Sequence, residues 1–242
     1  MDSNHKPYNY VSSFSRIDDI LSAPAGNYEE THELPDRDKL TYSNGFYAQC
    51  TAVFADIRKS SSLPEKYKRP KLAKLYRAYI SEMVAIMNGS EQAREVNIVG
   101  DGVWAVFNTP NKSHIDDVFA MIARCNSLIK VLNYKLAKAG YSDPIAVGIG
   151  AAYGRALMIK AGYSGSGISD IVYMGDVVNK AAKLAAKGSS GFMVPPIMLD
   201  ENFQCNLKEE NKKLVERSWN YECYTADVVN VAMEDWYKEN CK

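Results

Sequence analysis

The stretch EVNIVGDGVWAVF, residues 95–107, decides how this chain is read. Two apolar, β-branched runs flank Gly100-Asp101-Gly102, and a short turn of that composition between two such runs predicts a β-hairpin. Upstream, VFADIRKSSS at residues 53–62 ends a second apolar run on Asp56. Each stretch sets one carboxylate at the edge of a buried strand, 45 positions apart in the chain. Asp56 as a helix cap and Asp101 as a turn residue would account for both acids without chemistry. If instead the first and third strands are neighbours, the two acids converge. Converging carboxylates then either share a proton or bind a cation. Oxygen-only ligands in small number suit magnesium completed by substrate phosphates.

The rest of the pattern extends the hairpin into an α+β domain. FYAQCTAVFAD, from Phe46, reads as a buried strand. Leu72, Leu75, Tyr76, Tyr79, Ile80, Met83, Val84 and Met87 mark one face of a long helix that stops at Asn88-Gly89. A second helix is expected over residues 113–138. IAVGIGAAY and ALMIKAG follow as two strands, SGSGISD as a flexible loop, and IVYM as a strand entering the helix GDVVNKAAKLAAKG. The small residues of that last helix suit close approach to another surface. FMVPP and NYECYTADVV complete the expected strands. This order predicts a ferredoxin-like fold with a mostly antiparallel sheet flanked by helices. Residues 1–45 read as an N-terminal extension, 46–228 as the catalytic domain and 229–242 as a tail.

Composition narrows the function classes. Twenty-nine basic and 29 acidic residues cancel in a chain of 242, so no global field draws in nucleic acid or an anionic membrane. The five cysteines include no CxxC pair, which argues against a disulfide scaffold or a structural zinc site. The opening MDSNHKPYNY lacks a signal-peptide pattern, and no apolar run is long enough to span a bilayer. A cytoplasmic protein is expected. After Asp56 the turn IRKSSS offers Arg58, Lys59 and Ser60 to a phosphate group.

Three motifs in order, FADI, GDGVWAVF and GDVVNKAAKL, resemble those of the class III nucleotidyl cyclases. The resemblance implies that Asp56 and Asp101, with the Ile57 carbonyl, hold two divalent metal ions, Mn2+ or Mg2+. It implies that Asn179 orients the ribose. Lys183 stands where the family usually has an arginine that meets the triphosphate, and the i, i+4 spacing sets both on one helix face. Lys supplies the charge without the bidentate fork. Purine cyclases read the base with a Lys or Glu where this chain has Asn97, and with an Asp, Thr or Cys where it has Val172. Neither purine pair is present, which points to a smaller base. The stretch DIRKSSSLPEKYKRPKLAKLYRAYISEM is similar to the pyrimidine cyclases of Pycsar antiphage defence.

That likeness implies conversion of UTP to cyclic UMP, with cyclic CMP or a purine product as alternatives. It also implies a homodimer with active sites at the interface, and a separate effector that reads the product. A silent nucleotide-binding module is the rival of a different class. A diguanylate-cyclase-type enzyme predicts a GGDEF-like hairpin, which GDGVW does not match.

Overall fold

The structure is a computed structural model that describes residue 3, residues 5–164 and residues 168–242. Helix α1 (Tyr10–Leu21) and strand β1 (Tyr28–Thr31) precede the long strand β2 (Gly45–Ile57). One turn of helix, α2 (Leu63–Lys66), leads into α3 (Arg69–Asn88), then the hairpin β3 (Ala93–Val99) and β4 (Gly102–Asn108), then α4 (Lys112–Lys138). Strands β5 (Val147–Tyr163) and β6 (Ile168–Met174) form a second hairpin that feeds α5 (Asp176–Lys187). The chain continues through β7 (Ile197–Leu199), α6 (Glu201–Asn206), α7 (Glu209–Lys212), β8 (Glu216–Ser218), β9 (Cys223–Ala226) and α8 (Val231–Asn240).

The sheet runs β3-β4-β2-β5-β7-β9-β8, with β1 added beside β2 and β6 beside β5. Only the β1–β2 and β5–β7 pairs are parallel among these strands. The expected α+β architecture, a mostly antiparallel sheet flanked by helices, is the one observed.

Alternation along β2 explains the two cores. Val53, Ala55 and Ile57 face α3 and α4, where Leu75, Tyr79, Met83 and Met87 are fully buried. Those four are the inner part of the predicted helical stripe. Ala48, Cys50 and Ala52 point the other way and pack under Ile171 and Tyr173 of β6 and Val177 and Ala181 of α5. Leu34 and Leu40, between β1 and β2, bury in this second core. Losing either side chain there would cost about 2–5 kcal/mol.

Three expectations are corrected. IAVGIGAAY and ALMIKAG form one strand, because Gly154 and Arg155 stay in register opposite Cys50 and Gln49 of β2. FMVPP is a turn with Phe192 94% exposed. Pro195 and Pro196 lack the N–H a ladder needs, and their carbonyls instead accept from Ser189 and Ile149. The strand falls on the three residues that follow. Of the loop expected at SGSGISD, residues 165–167 lie outside the described residues, and Ile168 already begins β6.

Candidate functional site

Strand pairing brings the two acids together. Antiparallel pairing of β2 with β4 sets Ala55 opposite Val103, which leaves Asp56 beside Gly102. Gly100 makes the turn with φ +63°. A Cβ on Gly102 would stand 3.4 Å from Asp56 Oδ1 and 3.3 Å from the Val99 carbonyl, so the missing side chain leaves room for the Asp56 carboxylate. Asp56 shares its face of β2 with Phe54, whose ring stacks on Trp104 at 5.2 Å between centroids and 5° between planes.

The pair is electrostatically tense. Burial holds the Asp56 carboxyl above its ordinary value, and the neighbouring Asp101 carboxylate adds to the rise, while Arg58 opposes it. Asp101 Oδ2 is buried with no hydrogen-bond partner. A buried carboxylate oxygen without a donor is costly unless something else satisfies it. Below the acids, α3 presents Tyr76 and Tyr79. Burial and then Asp101 raise the Tyr76 hydroxyl, and burial followed by Asp56 raises that of Tyr79. The Tyr79 hydroxyl is also buried and unpartnered. In the sequence both tyrosines belong to the stripe on one helix face. The available signal was two hydroxyl-bearing rings in an otherwise Leu/Ile/Met/Val stripe.

This donor set fits a divalent cation that takes oxygen ligands. Two adjacent carboxylates with one unsatisfied oxygen need positive charge. Among the described residues no group of three or more His, Cys, Asp or Glu side chains forms a closed cage. A cation here would therefore complete its shell with water and a phosphate, as magnesium does. Ile57, opposite Val147, continues the strand one residue beyond Asp56.

The residues after the strand are arranged differently from a simple phosphate grip. The Arg58 guanidinium folds back onto the Asp56 carboxylate at 2.5 Å and donates to the Ala186 carbonyl of α5 at 2.9 Å. Lys59 adopts left-handed backbone, φ 54°, at the entry to the turn of Ser60–Ser62. The Ser60 carbonyl accepts from Tyr76.

Asn179 and Lys183 sit on the exposed face of α5, opposite Val177, Ala181, Leu184 and Ala185. Their i, i+4 spacing does align them. Neither touches Asp56 or Asp101 within one chain. Lys183 instead lines a cavity of about 310 Å³ with Lys180, Asp200, Glu201 and Asn202. Lys187 is half-buried and donates to the Tyr221 carbonyl. Asn97 is half-buried on β3, and Val172 is 36% exposed on β6. Arg37 joins those two strands, pairing with Glu95 of β3 and, at 2.9 Å, with Asp170 of β6. One chain thus carries an acid pair and, apart from it, a polar helix face.

Comparisons with known proteins identify the family. The family model for the adenylate and guanylate cyclase catalytic domain matches residues 43–232. A uridylate cyclase of Gulbenkiania mobilis is 40% identical over 259 residues, covering 99% of this chain and 100% of that protein. A uridylate cyclase of Treponema porcinum is 38% identical over 233 residues, covering 95% of this chain and 80% of its own length. Among solved structures, the adenylyl cyclase CyaB from P. aeruginosa matches with a TM-score of 0.61 at 21% identity, over 72% of this chain and 85% of its own. No described helix is long and apolar enough to cross a membrane.

Proposed function

The chain belongs to the class III nucleotidyl cyclases, the adenylate and guanylate cyclase catalytic-domain family, and from that membership we propose that it converts UTP to 3′,5′-cyclic UMP and pyrophosphate. The observation that carries the chemistry is the Asp56–Asp101 pair with its buried, unsatisfied oxygen. The choice of uracil is supported by the two relatives named uridylate cyclase and by Asn97 and Val172 at the base-reading positions.

In this reading Asp56 and Asp101, with the Ile57 carbonyl, hold two divalent ions, magnesium or manganese. When bound, these supply Lewis acidity that eases ionisation of the ribose 3′-hydroxyl and offsets charge on the phosphates. Asn179 hydrogen-bonds the ribose and sets the 3′-oxygen in line with the α-phosphorus. Lys183 meets charge that builds on the departing pyrophosphate, where a preorganised cation is worth more than in water. The Phe54–Trp104 stack keeps the acid side of the site dry.

Asn179 and Lys183 do not reach the acids of their own chain, so a head-to-tail homodimer completes two equivalent sites. A chain carrying both halves of a site permits that closure. The product serves as a second messenger read by a separate effector in antiphage defence, a role that rests on the likeness to the Pycsar pyrimidine cyclases.

Two experiments test this. Mass spectrometry after incubation with all four nucleoside triphosphates and manganese should find cyclic UMP as the main product. A purine cyclic nucleotide as the main product would remove the pyrimidine assignment. Second, Asp56→Ala and Lys183→Ala chains should each be inactive alone. Mixed in equal amounts after subunit exchange, they should recover about a quarter of wild-type activity, since half the dimers then carry one intact site of two. No recovery would place all four residues in a site within one chain.

A further inference from the structure

Arg58 stands two residues past Asp56, in the turn that the sequence offers to a phosphate. All three of its guanidinium nitrogens are nevertheless engaged by the protein. Nη2 donates to Asp56 Oδ2 at 2.5 Å and to the Asp56 main-chain carbonyl at 3.1 Å. Nε donates to the same carbonyl at 3.3 Å, and Nη1 to the Ala186 carbonyl at 2.9 Å. The Arg58 side chain is 14% exposed, and its own backbone N–H is held by the Ala146 carbonyl at 2.8 Å.

Two of these anchors do not depend on the carboxylate. Ala186 lies in the last turn of α5, where carbonyls lack helical partners and the helix dipole favours a cation. The second anchor is the Asp56 main chain. The guanidinium therefore stays beside Asp56 whatever else the carboxylate binds, and an arginine carries its charge throughout the working pH range.

Position and charge then act on the acid pair together. With Oδ2 of Asp56 held by Arg58, Oδ1 is the oxygen on the hairpin side, 3.4 Å from where a Cβ on Gly102 would stand. Asp101 follows Gly100 in that hairpin turn, and its Oδ2 is buried without a donor. With both acids ionised, Arg58 leaves the trio a single net negative charge. A bare divalent ion entering the pair meets the Arg58 charge across a short, partly buried and weakly screened distance. An ion already carried on a nucleoside triphosphate is different. That complex has a net negative charge, and the same guanidinium attracts it.

We propose that Arg58 is a positioning residue that turns Asp56 Oδ1 toward the hairpin and makes the acid pair select an ion that arrives with a triphosphate over the bare ion. The proposal rests on the cyclase reading above. It gives Arg58 a part that needs no direct grip on phosphate. The guanidinium disfavours an idle ion between turnovers and favours the loaded substrate.

The test measures binding rather than turnover. Free Mn2+ is titrated by electron paramagnetic resonance, alone and with 3′-deoxy-UTP, which cannot cyclise. Arg58→Met and Arg58→Gln should each bind bare Mn2+ about tenfold tighter than wild type and bind the Mn2+–nucleotide complex about tenfold more weakly, since one removed charge acts with opposite sign on the two. Arg58→Gln keeps a donor for the Ala186 carbonyl, so it decides the matter if Arg58→Met does not fold. Arg58→Lys keeps the charge without the fork and should stay within about threefold of wild type for both. A purely structural role would weaken both kinds of binding, and neutral variants that bind bare Mn2+ no tighter than wild type overturn the proposal while leaving the cyclase reading in place. Bare Mn2+ binding that survives Asp56→Asn undiminished overturns both, because the acids would then not hold the ion.

Discussion

Asp101→Asn should abolish cyclisation, by on the order of 10³-fold or more in kcat/KM, while the metal-free variant melts above wild type. The two effects have one cause. Asp101 Oδ2 is buried with no donor, and the Asp56 carboxyl beside it is held above its ordinary value by burial and by the Asp101 charge. Asparagine keeps the shape, removes the repulsion and can donate to Asp56. It also removes half of the charge that would hold a divalent cation. The sign of the pH dependence follows. A carboxyl that binds its proton more tightly in the folded chain than in the unfolded one favours folding fully below the ordinary carboxylate range. That advantage is lost as pH rises through the folded value. At neutral pH the wild type therefore carries a repulsion that the variant lacks. The stability gap should open as pH rises above the ordinary carboxylate value of about 4 and close below it. Thermal melts in chelator across that range, beside a cyclase assay with manganese, check both halves. A variant that turns over at the wild-type rate would remove Asp101 from the site.

The acids were legible because a hairpin and an apolar strand are local patterns, and the pairing of β2 with β4 follows from the ferredoxin-like strand order. The close approach of α5 was legible in its alanines. What escaped was everything set by partners far off in the chain. Gly154-Arg155 reads as a break in isolation, and only the 13-residue β2 beside it keeps β5 continuous. FMVPP has strand-like side chains but two prolines without donors. Arg37 is one basic residue in an acidic stretch, and nothing local shows that Glu95 and Asp170 wait for it 58 and 133 positions later. Tyr76 and Tyr79 follow the helical period as leucine would. Only the fold shows that their hydroxyls end beneath two carboxylates.

Gly150→Ala should be the most damaging single methyl in the protein. A Cβ at Gly150 would lie 2.1 Å from the Ala185 nitrogen, 2.2 Å from the Ala181 carbonyl oxygen and 2.8 Å from the Leu184 carbonyl carbon. All three atoms are backbone of α5, and a methyl has no rotamer by which to escape. The helix must lift from the sheet, and it cannot do so cheaply. Ala181 and Ala185 are 0% and 2% exposed against β5, and a Cβ at Gly148 would likewise meet the Ala185 carbonyl oxygen at 2.2 Å. Overpacking at a flexible contact costs about 1–3 kcal/mol; against fixed backbone the upper end or beyond is expected. Urea unfolding should therefore show a midpoint far below wild type, or no folded baseline. Gly26→Ala is the control, because nothing lies within 4 Å of a Cβ there, and it should stay within about 0.5 kcal/mol of wild type. The functional consequence separates this variant from an ordinary core defect. Asn179 and Lys183 ride on α5, and Arg58 of the acid half is bonded to its Ala186 carbonyl. Where Gly150→Ala protein is still folded at low temperature, its cyclase activity should already be lost, because in the proposed head-to-tail dimer a helix displaced from β5 carries its polar face out of register with the acids of the other copy. Wild-type turnover in a destabilised Gly150→Ala protein would mean that α5 does not contribute to the site.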